Sequence, residues 1–147
     1  MKYFIASDHA GFETKELLKA SFENLTDIGP KEFIMEDDYP DYVYLLVKNM
    51  KKDLLNSKGI LMCKNGAGVC IAANKFKGIR AATTFSKNHT SSLISDDNIN
   101  IICIPSEYLK PDEIKQIIQT FQTEEFKPEN RHLRRLGKLS IIENSNL

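Results

Sequence analysis

The chain has 147 residues, 41% of them hydrophobic and 27% charged, which suits one globular domain with a single core. Twenty Lys and Arg balance twenty Asp and Glu, so no bulk charge draws the chain to nucleic acid or an anionic membrane. No apolar run approaches the length of a membrane span, and the opening "MKYFIASDHAG" lacks the plan of a signal peptide.

The elements alternate along the chain. "KYFIAS" (2–7) reads as a buried strand, and "GFETKELLKASFENL" (11–25) as a helix with Phe12, Leu17, Leu18 and Phe22 near helical spacing. "EFIM" (32–35) reads as a weak strand or loop. "YPDYVYLLVKNMKKDLL" (39–55) reads as a helix, with Pro40 tolerated in its first turn. "GILMC" (59–63) is a second buried strand, and "GAGVCIAANK" (66–75) opens a helix. "GIRAATT" (78–84) reads as a strand, "SKNHTSSLISD" (86–96) as a helix and "INIICIP" (99–105) as a strand. "KPDEIKQIIQTFQTEEF" (110–126) carries Ile114, Ile117, Ile118 and Phe121 on one face of a helix. "ENRHLRRLGKLSIIEN" (129–144) reads as a last helix.

Strands alternating with helices imply βαβ units. The predicted fold is α/β: a three-layer Rossmann-like open sheet of about five mostly parallel strands, with helices on both faces and a C-terminal helical tail. In such folds ligands bind at the carboxyl ends of the strands. Both "SDHAG" (7–11) and "CKNGAG" (63–68) fall on that rim.

"NGAGVC" is not a dinucleotide fingerprint, because Ile71 stands where the third glycine belongs. It is not a P-loop either, since no G-K-[ST] follows. What remains is a glycine-rich turn that lets backbone N–H groups approach an anion, a phosphate or an enediolate oxygen. The plain alternative is a tight turn with no ligand. Cys63 precedes this turn, where a helix N-terminus favours thiolate and hence a base or nucleophile. Cys70 and Cys103 read as core. Three cysteines without a C-x-x-C pair argue against a disulfide framework or a structural zinc site, and point to the reducing cytoplasm.

Four stretches then converge: "ASDHAGFETKELLK", "DDYPDY" (37–42), "GILMCKNGAGVCIAANKFKGIRAA" (59–82) and "RHLRR" (131–135). In this order the chain resembles the type B ribose-5-phosphate isomerase family, which includes the galactose-6-phosphate isomerase subunits, over about residues 2 to 143. The resemblance implies a single domain, 1–147, whose tail 126–147 reaches a partner subunit. It implies a homodimer or dimer of dimers with the active site between subunits. It also implies an aldose–ketose isomerisation of a sugar phosphate through a cis-enediolate, without metal or other cofactor. By position, Cys63 is the implied base. Asn65, Gly66, Ala67 and Gly68 form the implied cradle, Asn65 standing where the family usually has Thr. Asp8 and His9 are the implied rim pair and Tyr39 a pocket tyrosine. Arg131 and Arg135 are the implied phosphate clamp, with Arg134 a spare.

The chain departs from the family near the chemistry. Asp96 stands at the usual ring-opening histidine, Asp97 at the following Asn, Pro105 at a glycine and Glu107 at a phosphate-binding arginine. An unperturbed carboxyl is a poor proton donor at neutral pH, and Glu107 would repel a phosphate it faced. His89 is a candidate substitute. Two functional classes therefore stand: an isomerase of ribose 5-phosphate, or of galactose or allose 6-phosphate, with Asp8 and Asp96 as ring-opening groups; and a weakly active or non-catalytic sugar-phosphate binder, or one subunit of a hetero-oligomer.

Overall fold

A computed structural model describes residues 1–145; residues 146–147, the end of the expected tail, lie outside the described residues. Five strands form one sheet: β1 (Lys2–Ser7), β2 (Leu25–Asp27), β3 (Ser57–Cys63), β4 (Ala81–Thr83) and β5 (Ile101–Pro105). Their order is β2-β1-β3-β5-β4 and every pairing is parallel. Six helices connect or follow them: α1 (Phe12–Lys19), α2 (Tyr39–Met50), α3 (Ala67–Ala73), α4 (Lys87–Asp97), α5 (Pro111–Thr123) and α6 (Asn130–Glu143). None of the described helices is long and apolar enough to cross a membrane.

The sheet is buried on both faces, as its parallel pairing requires. Alternation along β3 sends Ile60 and Met62 to one core, where Leu18, Ile114, Ile117, Ile118 and Phe121 meet them. Leu61 and Cys63 go to the other, with Val43, Leu46, Val47 and Met50 of α2 and Val69 and Ala73 of α3. Register alone thus places Cys63 on the side where α3 begins.

Two sequence readings are corrected. The stretch 11–25 is not one helix: α1 ends at Lys19, and Leu25–Asp27 leaves it to pair with Tyr3–Ile5 as the edge strand β2. Burial of Leu25 against the core and the grip of Lys15 and Lys19 on Asp27 override helical spacing here. Residues 32–35, read as a weak strand or loop, are loop. The strand at 78–84 is also shorter, because Gly78 is left-handed (φ 81°) and the Arg80 N–H goes to the Asn100 side chain.

Candidate active site

Strand order reverses at β1, whose neighbours β2 and β3 lead in opposite directions. The crevice outside the carboxyl ends of β1 and β3 is therefore the expected ligand position. The chain leaves β1 at Asp8, whose N–H bonds Met62 O at 3.3 Å. The Asp8 carboxylate caps a 3-10 turn (His9–Gly11) by accepting from the N–H groups of Ala10 (3.0 Å) and Gly11 (3.2 Å). Gly11 is required there, since a Cβ would sit 2.7 Å from Met62 Cβ. Burial raises the pKa of Asp8 above the usual carboxylate value, against the pull of those N–H groups and of His9.

His9 is locked from behind. Asp37 accepts the His9 backbone N–H at 2.9 Å and lies 2.7 Å from Nδ1 through the same oxygen. The Asp37 carboxylate is almost wholly buried, whereas the imidazole is 41% exposed. The bond to Asp37 raises the His9 pKa, and the Asp8 charge adds to it against partial desolvation. Tyr42 stands beside Asp37 and is pushed up to about 12 by burial and by that carboxylate.

Cys63 ends β3 and is buried. Its Sγ accepts the N–H of Gly66 at 3.2 Å and lies 4.0 Å from Asn65 Oδ1. Gly66 adopts φ 74°, a conformation open to glycine at little cost. Asn65 Oδ1 accepts the Ala67 N–H at 3.0 Å, so its NH2 end is its remaining donor. Gly68 faces Tyr39 so closely that a Cβ would lie 2.7 Å from the ring. Ser106 Oγ lies 2.9 Å from Cys63 O and 3.1 Å from Ala10 O, which ties the two halves of the cleft together.

Eight of the candidate residues therefore share one rim: Asp8, His9, Tyr39, Cys63, Asn65, Gly66, Ala67 and Gly68. Asp96, Asp97, Arg131 and Arg135 do not join them within one chain. α4 ends at Asp97, and the residues that follow bond the amino ends of the strands, Asn100 O to Gly59 N and Asn98 O to the Arg80 side chain. Strand β3 has 7 residues, so the two rims stand about 20 Å apart at about 3.3 Å per residue. At that far rim Asp96 accepts from Ser95 Oγ (2.8 Å) and faces His132 Nε2 at 3.9 Å. His132 is buried, and its Nδ1 donates to Lys127 O at 2.8 Å. Asp97 lines a cavity of about 560 Å³ between β4 and α6 with Arg80, Leu136 and Glu143. Arg131 pairs with Glu129 at 2.9 Å, and Arg135 is exposed.

Glu107 is exposed and pairs with Lys64 at 3.5 Å beside Cys63, so a cation already answers its charge. His89 stands on the exposed start of α4 with its ring stacked on Phe85. Cys70 is not plain core. It is half-buried, its Sγ donates to Ala81 O at 3.4 Å and accepts from Asn74 Nδ2 at 3.6 Å, and the neighbouring Cys103 thiol draws its pKa down to about 6 while burial pushes Cys103 well up. All three thiols are free. Sequence reasoning overlooked Asp37, although "DDYPDY" contains it, and Ser106; neither carries a signal of its own in one dimension.

The family model described as Ribose/Galactose Isomerase matches residues 3–139. A Mycoplasma pneumoniae protein named "Probable ribose-5-phosphate isomerase B" is 40% identical over 144 residues, 95% of this chain and 93% of that protein. The crystal structure of ribose-5-phosphate isomerase B from Mycoplasma genitalium, with bound ribulose-5-phosphate, superposes with a TM-score of 0.92 at 36% identity, covering 98% of this chain and 97% of that one. A ribose 5-phosphate isomerase from Thermotoga maritima gives 0.87 at 34% identity over 95% and 97%.

Proposed function

The chain belongs to the Ribose/Galactose Isomerase family, and from that premise we propose that it interconverts ribose 5-phosphate and ribulose 5-phosphate with Cys63 as the base. The observation that carries this reading is the Cys63 Sγ held by the Gly66 N–H at 3.2 Å, at the carboxyl end of β3.

The chemistry follows from the geometry. With the sugar open, the Cys63 thiolate takes the proton from C2. The electron pair forms the C1=C2 bond, and negative charge develops on O1. That oxygen is assigned to the N–H groups of the Gly66–Gly68 turn and the Asn65 NH2 end, and preorganised donors lower the barrier where charge appears. The hydroxyl proton of O2 passes to O1, and the Cys63 thiol returns its proton to C1, giving the ketose. Tyr39, packed on Gly68, closes one wall.

The phosphate is assigned to Arg131 and Arg135 of a partner subunit, each able to grip it with two N–H groups. Two features support a homodimer. The arginines lie at the rim opposite Cys63, so a two-fold pairing can bring one rim to the other. Residues 126–145 also expose Leu133, Leu139, Ile141 and Ile142 on α6. Asp96 and Asp97 would enter from the same partner. A cytoplasmic location completes the reading and rests on the three free thiols.

The test is ribose 5-phosphate isomerisation by the purified protein and by Cys63→Ala. Turnover that the alanine variant loses is the expected result. Turnover that it keeps, or none in the wild type, contradicts the assignment.

A further inference from the structure

We infer that Asp37 and His9 form a proton-donating pair in this site: Asp37 is a positioning residue that holds His9 so that its Nε2–H protonates the ring oxygen of a cyclic aldose phosphate. The inference rests on the isomerase reading above and adds the step that must precede it.

A pentose 5-phosphate is chiefly a cyclic hemiacetal, and Cys63 can take the C2 proton only after C1 has become a carbonyl. Opening breaks the C1–O4 bond, and O4 must gain a proton as the C1 hydroxyl loses one. The side chain suited to donate near neutral pH is an imidazolium. The chain has three histidines. His132 is buried at the far rim, and His89 follows the edge strand β4, beyond β5 from the β1–β3 crevice, with its ring stacked on Phe85. His9 shares the Cys63 rim, and Ser106 binds its turn to Cys63 by touching both Ala10 O and Cys63 O.

The arrangement around His9 is that of a buried carboxylate behind an exposed ring. One Asp37 oxygen takes both the backbone N–H and Nδ1 of His9, which fixes the ring and leaves Nε2 as the outward nitrogen. The other oxygen, Oδ2, is buried without a hydrogen-bond partner among the described residues. Asp8 on the same turn and Tyr42 on α2 stand beside this pair. One is a carboxylate and the other neutral, so a proton on His9 is favoured.

The step balances. His9 gives its Nε2 proton to O4, which keeps the C1–O4 electron pair. The C1 hydroxyl electrons close to the carbonyl, and that proton goes to the Asp8 carboxylate, whose Oδ1 is held by the Ala10 and Gly11 N–H groups. Both side chains then exchange protons with water, to which the His9 ring is open.

Ribulose 5-phosphate separates this step from the next, because its C5 oxygen carries the phosphate and no furanose can form. Exchange of its C1 proton with D2O, followed by NMR, therefore reads the Cys63 step alone. Asp37→Asn is expected to cut ribose 5-phosphate turnover by about 10- to 100-fold, and His9→Asn by about 100-fold or more. Exchange from ribulose 5-phosphate should stay near wild type in both, and that retention also certifies their fold. His9 acts as its cation, so activity falls as pH rises through its pKa. Asp37→Asn lowers that pKa and moves the basic limb of kcat/KM to lower pH, and Asp37→Glu restores part of it. Equal loss of exchange and turnover, or no loss of either, overturns the inference. A wild type that neither exchanges nor turns over overturns the isomerase reading instead, and this inference with it.

Discussion

The Gly66 N–H donates to Cys63 Sγ at 3.2 Å from a left-handed backbone, φ 74°. Two demands meet in this residue: the donor must face the sulfur, and the chain must turn back into α3. A Cβ there would stand 2.9 Å from Thr83 Cγ2 and 3.2 Å from Pro105 N, and the conformation itself costs about 1–2 kcal/mol for other residues. Gly66→Ala is therefore expected to lower the melting temperature by about 3–8 °C. It should also cut kcat/KM by more than the stability loss explains. Calorimetry and a steady-state assay check the two effects; an unchanged kcat/KM would remove Gly66 from the cradle.

Gly68 makes the opposite case. Its added Cβ would meet only the outer end of the Tyr39 ring, at 2.7 Å from Cζ, and a ring can swing aside. Alanine also favours the helix by about 1 kcal/mol over glycine. Gly68→Ala should thus leave stability within about 1 kcal/mol of wild type while displacing Tyr39 and raising KM. Urea melts and substrate saturation curves decide it; an unchanged KM would free the Tyr39 wall from any role in binding.

The separation of the Cys63 rim from Arg131 and Arg135 predicts complementation. Cys63→Ala and the double change Arg131→Ala with Arg135→Ala should each be inactive alone. Mixed under conditions that exchange subunits, half the dimers become hybrid, and each hybrid keeps one intact site. Activity should return to about a quarter of wild type by two-fold symmetry. A mixture that forms hybrids but stays inactive would place the phosphate clamp and the base in one chain.

Asp27 gives a pH prediction. Burial pushes its carboxyl up, but Lys15 at 2.9 Å and Lys19 at 2.8 Å outweigh that and hold it below the usual carboxylate value. A lowered folded-state pKa adds stability above the unfolded value near 4 and loses it as pH falls. Lys15 is fully buried and keeps Glu16 as a second partner, so Asp27→Asn should cost about 1–3 kcal/mol near pH 7 and less near pH 3, below the unfolded value. Urea unfolding at the two pH values tests this; equal losses at both would exclude charge as the cause.

Much of the fold could be read in one dimension because hydrophobic runs and glycine turns are local signals. "KYFIAS" matches β1 residue for residue, and the isoleucines of α5 all enter one core. β2 escaped because Leu25–Asp27 is a strand only through its partner Tyr3–Ile5, a contact that spacing cannot register. The Cys63 half of the site was legible for the same reason as the strands: Cys63 to Gly68 is continuous. The grip of Asp37 on His9 spans 28 positions and that of Ser106 on Cys63 spans 43, so both needed the fold. Asp96 was legible as a departure, but its neighbour His132 emerged only when α6 was laid beside α4.

The central claim is that Cys63 carries the proton between C1 and C2, and the most direct measurement is solvent exchange at C1 of ribulose 5-phosphate in D2O. The wild type should exchange this proton, and Cys63→Ala should slow exchange by about 100-fold or more while keeping its melting temperature. Exchange that persists at the wild-type rate in the folded Cys63→Ala variant would contradict the account.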